Sequence, residues 1–67
     1  MIILYLVQQI NYSKKNKNEP GYHEPITKQA EYEANSPRDC WNMWRDYNQD
    51  TKDEKFICNY IIELSRR

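Results

Sequence analysis

The stretch Tyr22–Ala34, YHEPITKQAEYEA, decides how the rest of the chain can fold. Ile26, Ala30, Tyr32 and Ala34 alternate with Thr27, Gln29, Glu31 and Glu33, the pattern of a strand with one wet face. Lys28 interrupts the apolar side, although its aliphatic stem can lie along a sheet edge. The run Lys-Gln-Ala-Glu is also good helix composition, so a helix remains the competing reading. The alternation favours the strand, and Pro25 then belongs at its start, where no ladder N–H is required.

Outward from that stretch the signals are firmer. On its N-terminal side, Ile2–Ile10 is apolar on both alternating faces, as in a strand buried on two faces or flanked on both edges. Asn11–Gly21 carries Asn, Ser, Lys, Pro and the only Gly, and reads as a long loop. On its C-terminal side, Ser36-Pro37-Arg38-Asp39 opens a helix. Ser36 suits the N-cap, Pro37 the first helical position and Asp39 the first turn. Cys40, Met43, Trp44 and Tyr47 then form one apolar stripe, with Trp41 on its margin, over Pro37–Asn48. Glu54–Leu64 alternates again, with Phe56, Cys58, Tyr60, Ile62 and Leu64 on one face and Ile57, Asn59, Ile61 and Glu63 on the other. It reads as a third strand.

The order strand–strand–helix–strand restricts the topology. If the first two strands pair antiparallel, the helix returns the chain over the sheet and the third strand runs parallel to the second. A right-handed crossover then places the first strand in the centre, in sheet order 2-1-3. The expectation is a small α+β domain, residues 1–67, with a three-stranded sheet and one amphipathic helix on one face. The pattern places Leu4, Leu6, Tyr32, Phe56, Cys58, Tyr60 and Ile62 beneath the Met43, Trp44 and Tyr47 stripe. It leaves Ile3, Tyr5, Val7, Ile57 and Ile61 on an open face, a candidate contact surface. A homodimer packed face against face is the simplest occupant, because 67 residues make only a marginal core.

Composition excludes more than it selects. Ten Lys/Arg balance ten Asp/Glu, and each half of the chain is balanced as well. That argues against a general nucleic-acid binder, whose footprint is a basic face, and equally against an acidic DNA mimic. Met1–Val7 is too short to span a bilayer and lacks the flanks of a signal peptide, so the expectation is a soluble, cytoplasmic chain without a membrane partner. His23 is the only histidine, and the helix and strand patterns turn Cys40 and Cys58 inward. A His-activated nucleophile and a close-spaced zinc ligand set therefore both lack their parts, and no catalytic residue, metal or cofactor is expected. The two cysteines are expected as buried free thiols.

Two further groups carry side chains suited to binding. Arg38, Trp41 and Arg45 share one helical flank, where guanidinium over indole makes a cation–π contact. The simpler alternative is that Trp41 widens the core stripe and the arginines are solvated. Lys14, Lys15 and Lys17 make the long loop basic and suit a phosphate or an acidic protein. Asp50, Asp53 and Glu54 lie at the same end of the fold, so local neutralisation is the simpler account. Arg66 and Arg67 fall at the opposite end, and the cations form no single stripe.

The layout of a first strand, a second strand closing on Glu31-Tyr32-Glu33-Ala34-Asn35-Ser36-Pro37, an amphipathic helix and a closing strand resembles small phage-encoded inhibitors, of the anti-CRISPR and host-takeover type. The resemblance is one of size and layout and covers most of the chain. It implies a non-enzymatic inhibitor that binds a bacterial protein or nucleoprotein effector, an anti-CRISPR protein in its most specific form. Alternatives from other classes are a small nucleic-acid-associated regulator using the loop and terminal cations, and a homodimeric accessory subunit.

Overall fold

The computed structural model describes residues 1–67. It consists of β1 (Ile3–Ser13), β2 (Ile26–Ala34), α1 (Pro37–Tyr47) and β3 (Glu54–Arg66). β1 is central and pairs antiparallel with both neighbours, giving the order β2-β1-β3. The ambiguous stretch is thus a strand, and it begins directly after Pro25. β1 runs on to Ser13, because Asn11, Tyr12 and Ser13 still find partners in Phe56, Lys55 and Glu54. The connecting loop is correspondingly shorter than the sequence pattern indicates. Gly21 supplies its one left-handed residue, with φ of 88°, and a Cβ there would sit 3.2 Å from Lys15 Cε.

α1 begins where its sequence signals place it. Ser36 is extended, and its hydroxyl accepts the Asp39 backbone N–H at 3.2 Å. At the other end Asn48 donates from Nδ2 to the Trp44 carbonyl at 2.9 Å, so a side chain closes the last turn as well. Cys40 and Trp44, one turn apart, are the helix residues that enter the core. They pack on Ile3, Tyr5, Val7 and Ala34, with Tyr32, Met43, Phe56, Cys58 and Ile61 around them. Tyr47, expected in the apolar stripe, is exposed at the helix end and lies 6.3 Å from the Tyr32 ring.

Tyr32, Phe56 and Cys58 lie beneath the helix as expected, but on β1 the helix covers the opposite face from the one expected. Ile3, Tyr5 and Val7 lie beneath it, Val7 only 1 % exposed, and Ile61 borders the same core. Leu4, Leu6 and Ile10 are on the open side. Two features cause the reversal. The register sets Leu4, Leu6, Gln8 and Ile10 beside Glu33, Glu31, Gln29 and Thr27, the wet side of β2. The pairing of β3 also slips twice, between Leu4/Tyr5 and Gln8/Gln9, leaving Leu64 and Asn59 as extra residues. Each bulge breaks the two-residue period. Phe56 and Cys58 thus share the covered face with Ile61, whereas Ile57, Tyr60 and Ile62 share the open one.

The molecule is long and thin, 48 × 17 × 12 Å, with a radius of gyration of 14.0 Å where a compact chain of this length has about 11 Å. An eleven-residue helix spans about 16 Å, and eleven-residue β1 about 37 Å. Beyond the reach of the apolar stripe, β1 turns polar: Gln9 and Asn11 are buried on the covered face. Their needs are met locally. Trp44 Nε1 donates to Gln9 Oε1 at 2.9 Å, and Gln9 Nε2 donates to Asn11 Oδ1 at 2.8 Å. The Tyr5 hydroxyl, by contrast, is buried with no hydrogen-bond partner. Burial, reinforced by the nearby Glu63 carboxylate, pushes its pKa up.

Two stability measurements follow by urea unfolding. Trp44→Phe removes the indole N–H together with its five-membered ring, stranding the buried Gln9 oxygen beside a small cavity, and is expected to cost at least about 1–3 kcal/mol. A cost within experimental error of zero would show that this bond does not anchor the helix. Tyr5→Phe removes an orphaned donor and is expected to be neutral or stabilising, because no paired group is lost. A clear destabilisation would mean that the hydroxyl has a partner.

Candidate functional site

The outer flank of α1 is the most developed candidate binding surface. Arg38, Trp41 and Arg45 fall at helical spacings on a segment held by caps at both ends and by Cys40 and Trp44 beneath. Trp41 is 40 % exposed, so it does not widen the core. The Arg45 guanidinium carbon lies 4.9 Å from the Trp41 ring centroid. This contact contributes about 0.5–1 kcal/mol at an exposed site and fixes the indole orientation. Pro37, Asn42 and these three side chains line an open hollow of ≈ 560 Å³. Asn42 also borders a second hollow of ≈ 600 Å³, whose rim carries Glu33, Asp39 and Asp46. The flank thus presents a basic, aromatic depression beside an acidic one.

The open sheet face exists, but its residues differ from those expected. Of the five expected there, only Ile57 is on that side, 39 % exposed. Ile3, Tyr5 and Val7 are core residues, and Ile61 packs against that core. Their places are taken by Leu4, Leu6, Ile10 and Ile62. The signal that could have identified them was the wet side of β2, which neighbours the even-numbered residues of β1.

The basic loop is engaged at its base. Lys14 Nζ donates to the Thr51 carbonyl at 2.8 Å, and Lys15 Nζ lies 3.8 Å from Asp53 Oδ1. Lys17 is exposed. The loop is further tied to β3 by His23, whose Nδ1 lies 2.7 Å from the Glu24 carbonyl oxygen and Nε2 2.8 Å from the Glu54 carboxylate. Both partners only accept, so both ring nitrogens bond together when each carries a proton. The Glu24 carbonyl first, and then Glu54, raise the His23 pKa above its ordinary 6.5. Arg66 makes a two-pronged contact with Glu63 at the other end of the sheet, at 2.7 and 2.9 Å.

Cys40 and Cys58 are free thiols. Burial pushes both pKa values up, away from the thiolate that nucleophilic chemistry uses. The hydrogen-bond partners of His23 are Glu24 and Glu54, not either cysteine. No three His, Cys, Asp or Glu side chains gather as a metal-ligand set, and no helix is long and apolar enough to cross a membrane. No protein-family model matches the chain, and no match is found among curated proteins or solved structures.

The His23 geometry has a pH signature. Because its folded pKa is raised, its contribution is complete below the unfolded value near 6.5 and is lost as pH rises through the folded value. An NMR titration should place the His23 midpoint above 6.5, with amide-exchange protection at Tyr22–Glu24 falling on its alkaline side. Glu54→Gln should lower that midpoint. A midpoint at or below the ordinary value would show that the loop is not held by this contact.

Proposed function

We propose that this protein is a non-enzymatic inhibitor that binds a bacterial protein or nucleoprotein complex and acts in the host-cell cytoplasm. Its most specific form is an anti-CRISPR protein that occludes a CRISPR effector. The observation that carries the binding role is the exposed Trp41, held by Arg45 and flanked by Arg38 on a capped, anchored helix. Trp and Arg are the residue types that most often dominate binding energy, and here they are oriented before any partner arrives. The bacterial target class rests on the resemblance of the chain's size and β-β-α-β layout to small phage-encoded inhibitors.

Stoichiometric blockade makes modest demands on such a molecule. It needs a rigid surface of mixed polarity, and the α1 flank offers a basic, aromatic hollow beside an acidic one. Neighbouring hollows of opposite character discriminate against partners lacking the matching charges. The alternative of a nucleic-acid regulator is less well served, because Lys14 and Lys15 already have partners in Thr51 and Asp53.

The test is affinity capture of the tagged chain from CRISPR-bearing bacteria, before and after nuclease digestion, followed by a target-cleavage assay with the captured effector. Retention of an effector subunit after digestion, and stoichiometric loss of cleavage, are expected. Trp41→Ala should weaken binding at least tenfold, as at interface hot spots, while leaving the circular dichroism unchanged. Recovery of nucleic acid alone, or wild-type affinity in Trp41→Ala, would count against this reading.

A further inference from the structure

We propose that the open sheet face is the interface of a two-fold homodimer in which the strands of the two copies run antiparallel across each other. The face is not uniformly apolar. Leu4, Leu6 and Ile62 form a patch at one end of it, and Ile10, Tyr12 and Ile57 form a patch at the other. Ile62 is 46 % exposed, and the other members of both patches are partly exposed.

Between the two patches runs a polar belt whose members already bond one another. Asn59 Nδ2 donates to Gln8 Oε1 at 2.6 Å, and Gln29 Nε2 reaches the Tyr60 hydroxyl at 3.5 Å. Burying groups that are already paired costs far less than burying free ones. Along β1 and β3 the face therefore reads nearly the same from either end, apolar, polar, apolar, while β2 lends it a polar edge of Glu33, Glu31, Gln29 and Thr27.

That near-palindrome is what an isologous contact requires, because each patch must meet a complement on an identical surface. Two orientations of the two-fold axis bring open face onto open face. With the axis along the strands, β2 of one copy lies over β3 of the other, and Glu31 is pressed onto Ile62, both being level with Leu6. A carboxylate buried on an aliphatic side chain is costly. With the axis across the strands, β2 lies over β2 and the strand direction reverses. Leu6 then meets Ile10, Ile57 meets Ile62, and Gln8 meets Gln8 at the axis. Glu31 faces Thr27 and Lys55 faces Ser65, while Glu33, level with Leu4, comes at the sheet edge over the Pro25 end of β2, so no charge meets its like and no carboxylate is set on the central aliphatic residues.

The dimensions fit a second copy. The face runs about 37 Å along β1 in a molecule 17 Å across, roughly 600 Å² per copy and 1,200 Å² in all. That total is at the lower end of stable protein interfaces. Sheets packed this way keep their strands within about 30° of one another and their planes about 10 Å apart. The protomer has reason to dimerise, since only eight of its residues are buried. Both α1 flanks would remain outside, one on each surface of the dimer.

Sedimentation equilibrium of the intact chain at tens of micromolar should give twice the 8.2 kDa chain mass. Leu6→Lys should give a folded monomer. Mixing Leu6→Lys with Ile10→Glu should restore the dimer by opposing the new charges, whereas Leu6→Lys with Leu6→Glu should not. If Leu6→Lys disturbs folding, Ile62→Glu, at a more exposed position of the same patch, should give the folded monomer. A wild-type mass of 8.2 kDa overturns the proposal, as does a folded Ile62→Glu dimer. Rescue by the Leu6→Lys/Leu6→Glu mixture instead overturns the antiparallel arrangement. The mass of the purified chain reads this independently of any bacterial target of Trp41.

Discussion

Trp44 enters the covered sheet face at the border between the apolar and the polar half of β1. Its ring belongs to the core with Tyr5, Val7 and Cys40, while Nε1 donates to Gln9 Oε1 at 2.9 Å. Because the indole satisfies that amide, the chain can bury Gln9 and Asn11 where an eleven-residue helix has no more apolar surface to offer. Asn48 completes the junction by closing the helix and lying 3.4 Å from Gln9 Nε2 through its own Oδ1. The position of α1, and with it the exposure of Trp41 on the far side, follows from this seating. Without it the helix would have only a thin core to hold it against a sheet twice its length.

The elements and their order were legible in the sequence for physical reasons that are local. Ser36 and Pro37 mark a helix start because the backbone there needs an acceptor and tolerates a missing N–H. The alternation in Ile26–Ala34 marks a strand, and the preferred handedness of crossovers leaves few topologies for β-β-α-β. Which face the helix covers was not legible, because β1 is apolar on both sides and its register with β2 crosses a long loop. The bulges at Asn59 and Leu64 were hidden for a related reason: each inserts one residue into an alternation that still looks continuous. Four of the five residues expected on the open face consequently belong to the core or its border. That Arg38, Trp41 and Arg45 share one helix flank was legible, since i, i+3 and i+4 spacings do not depend on tertiary register.

The two accessible surfaces are on opposite layers of the molecule, and they differ in kind. The helix flank is small, charged and sculpted, with an aromatic ring held by a neighbouring cation. The sheet face is nearly palindromic along β1 and β3, with the polar groups of its central belt already paired among themselves. The first suits recognition of a different molecule, where complementary charge discriminates between partners. The second suits a copy of itself, where symmetry demands that the surface complement its own reverse. Self-association through the second would add to so small a core without occupying the first.

Zero net charge conceals how the charges are used. Lys15 with Asp53, His23 with Glu54, and Arg66 with Glu63 are local pairs at the strand ends and the loop base. Exposed pairs of this kind contribute little to stability individually; Lys15–Asp53 and His23–Glu54 tie the loop to the start of β3, and Arg66–Glu63 lies within β3. They also remove those cations from the set available to a partner, which is why the basic loop is a poorer binding surface than its composition indicates. On the α1 flank the balance is different, since Arg38 and Arg45 border one hollow while Asp39 and Asp46 border the next. Arg45 Nε lies 4.0 Å from Asp46 Oδ1, so one pair forms there too, while Arg38 and Asp39 stay separated across the width of the helix. That separation, beside a fixed indole, makes the flank a surface that can tell one partner from another.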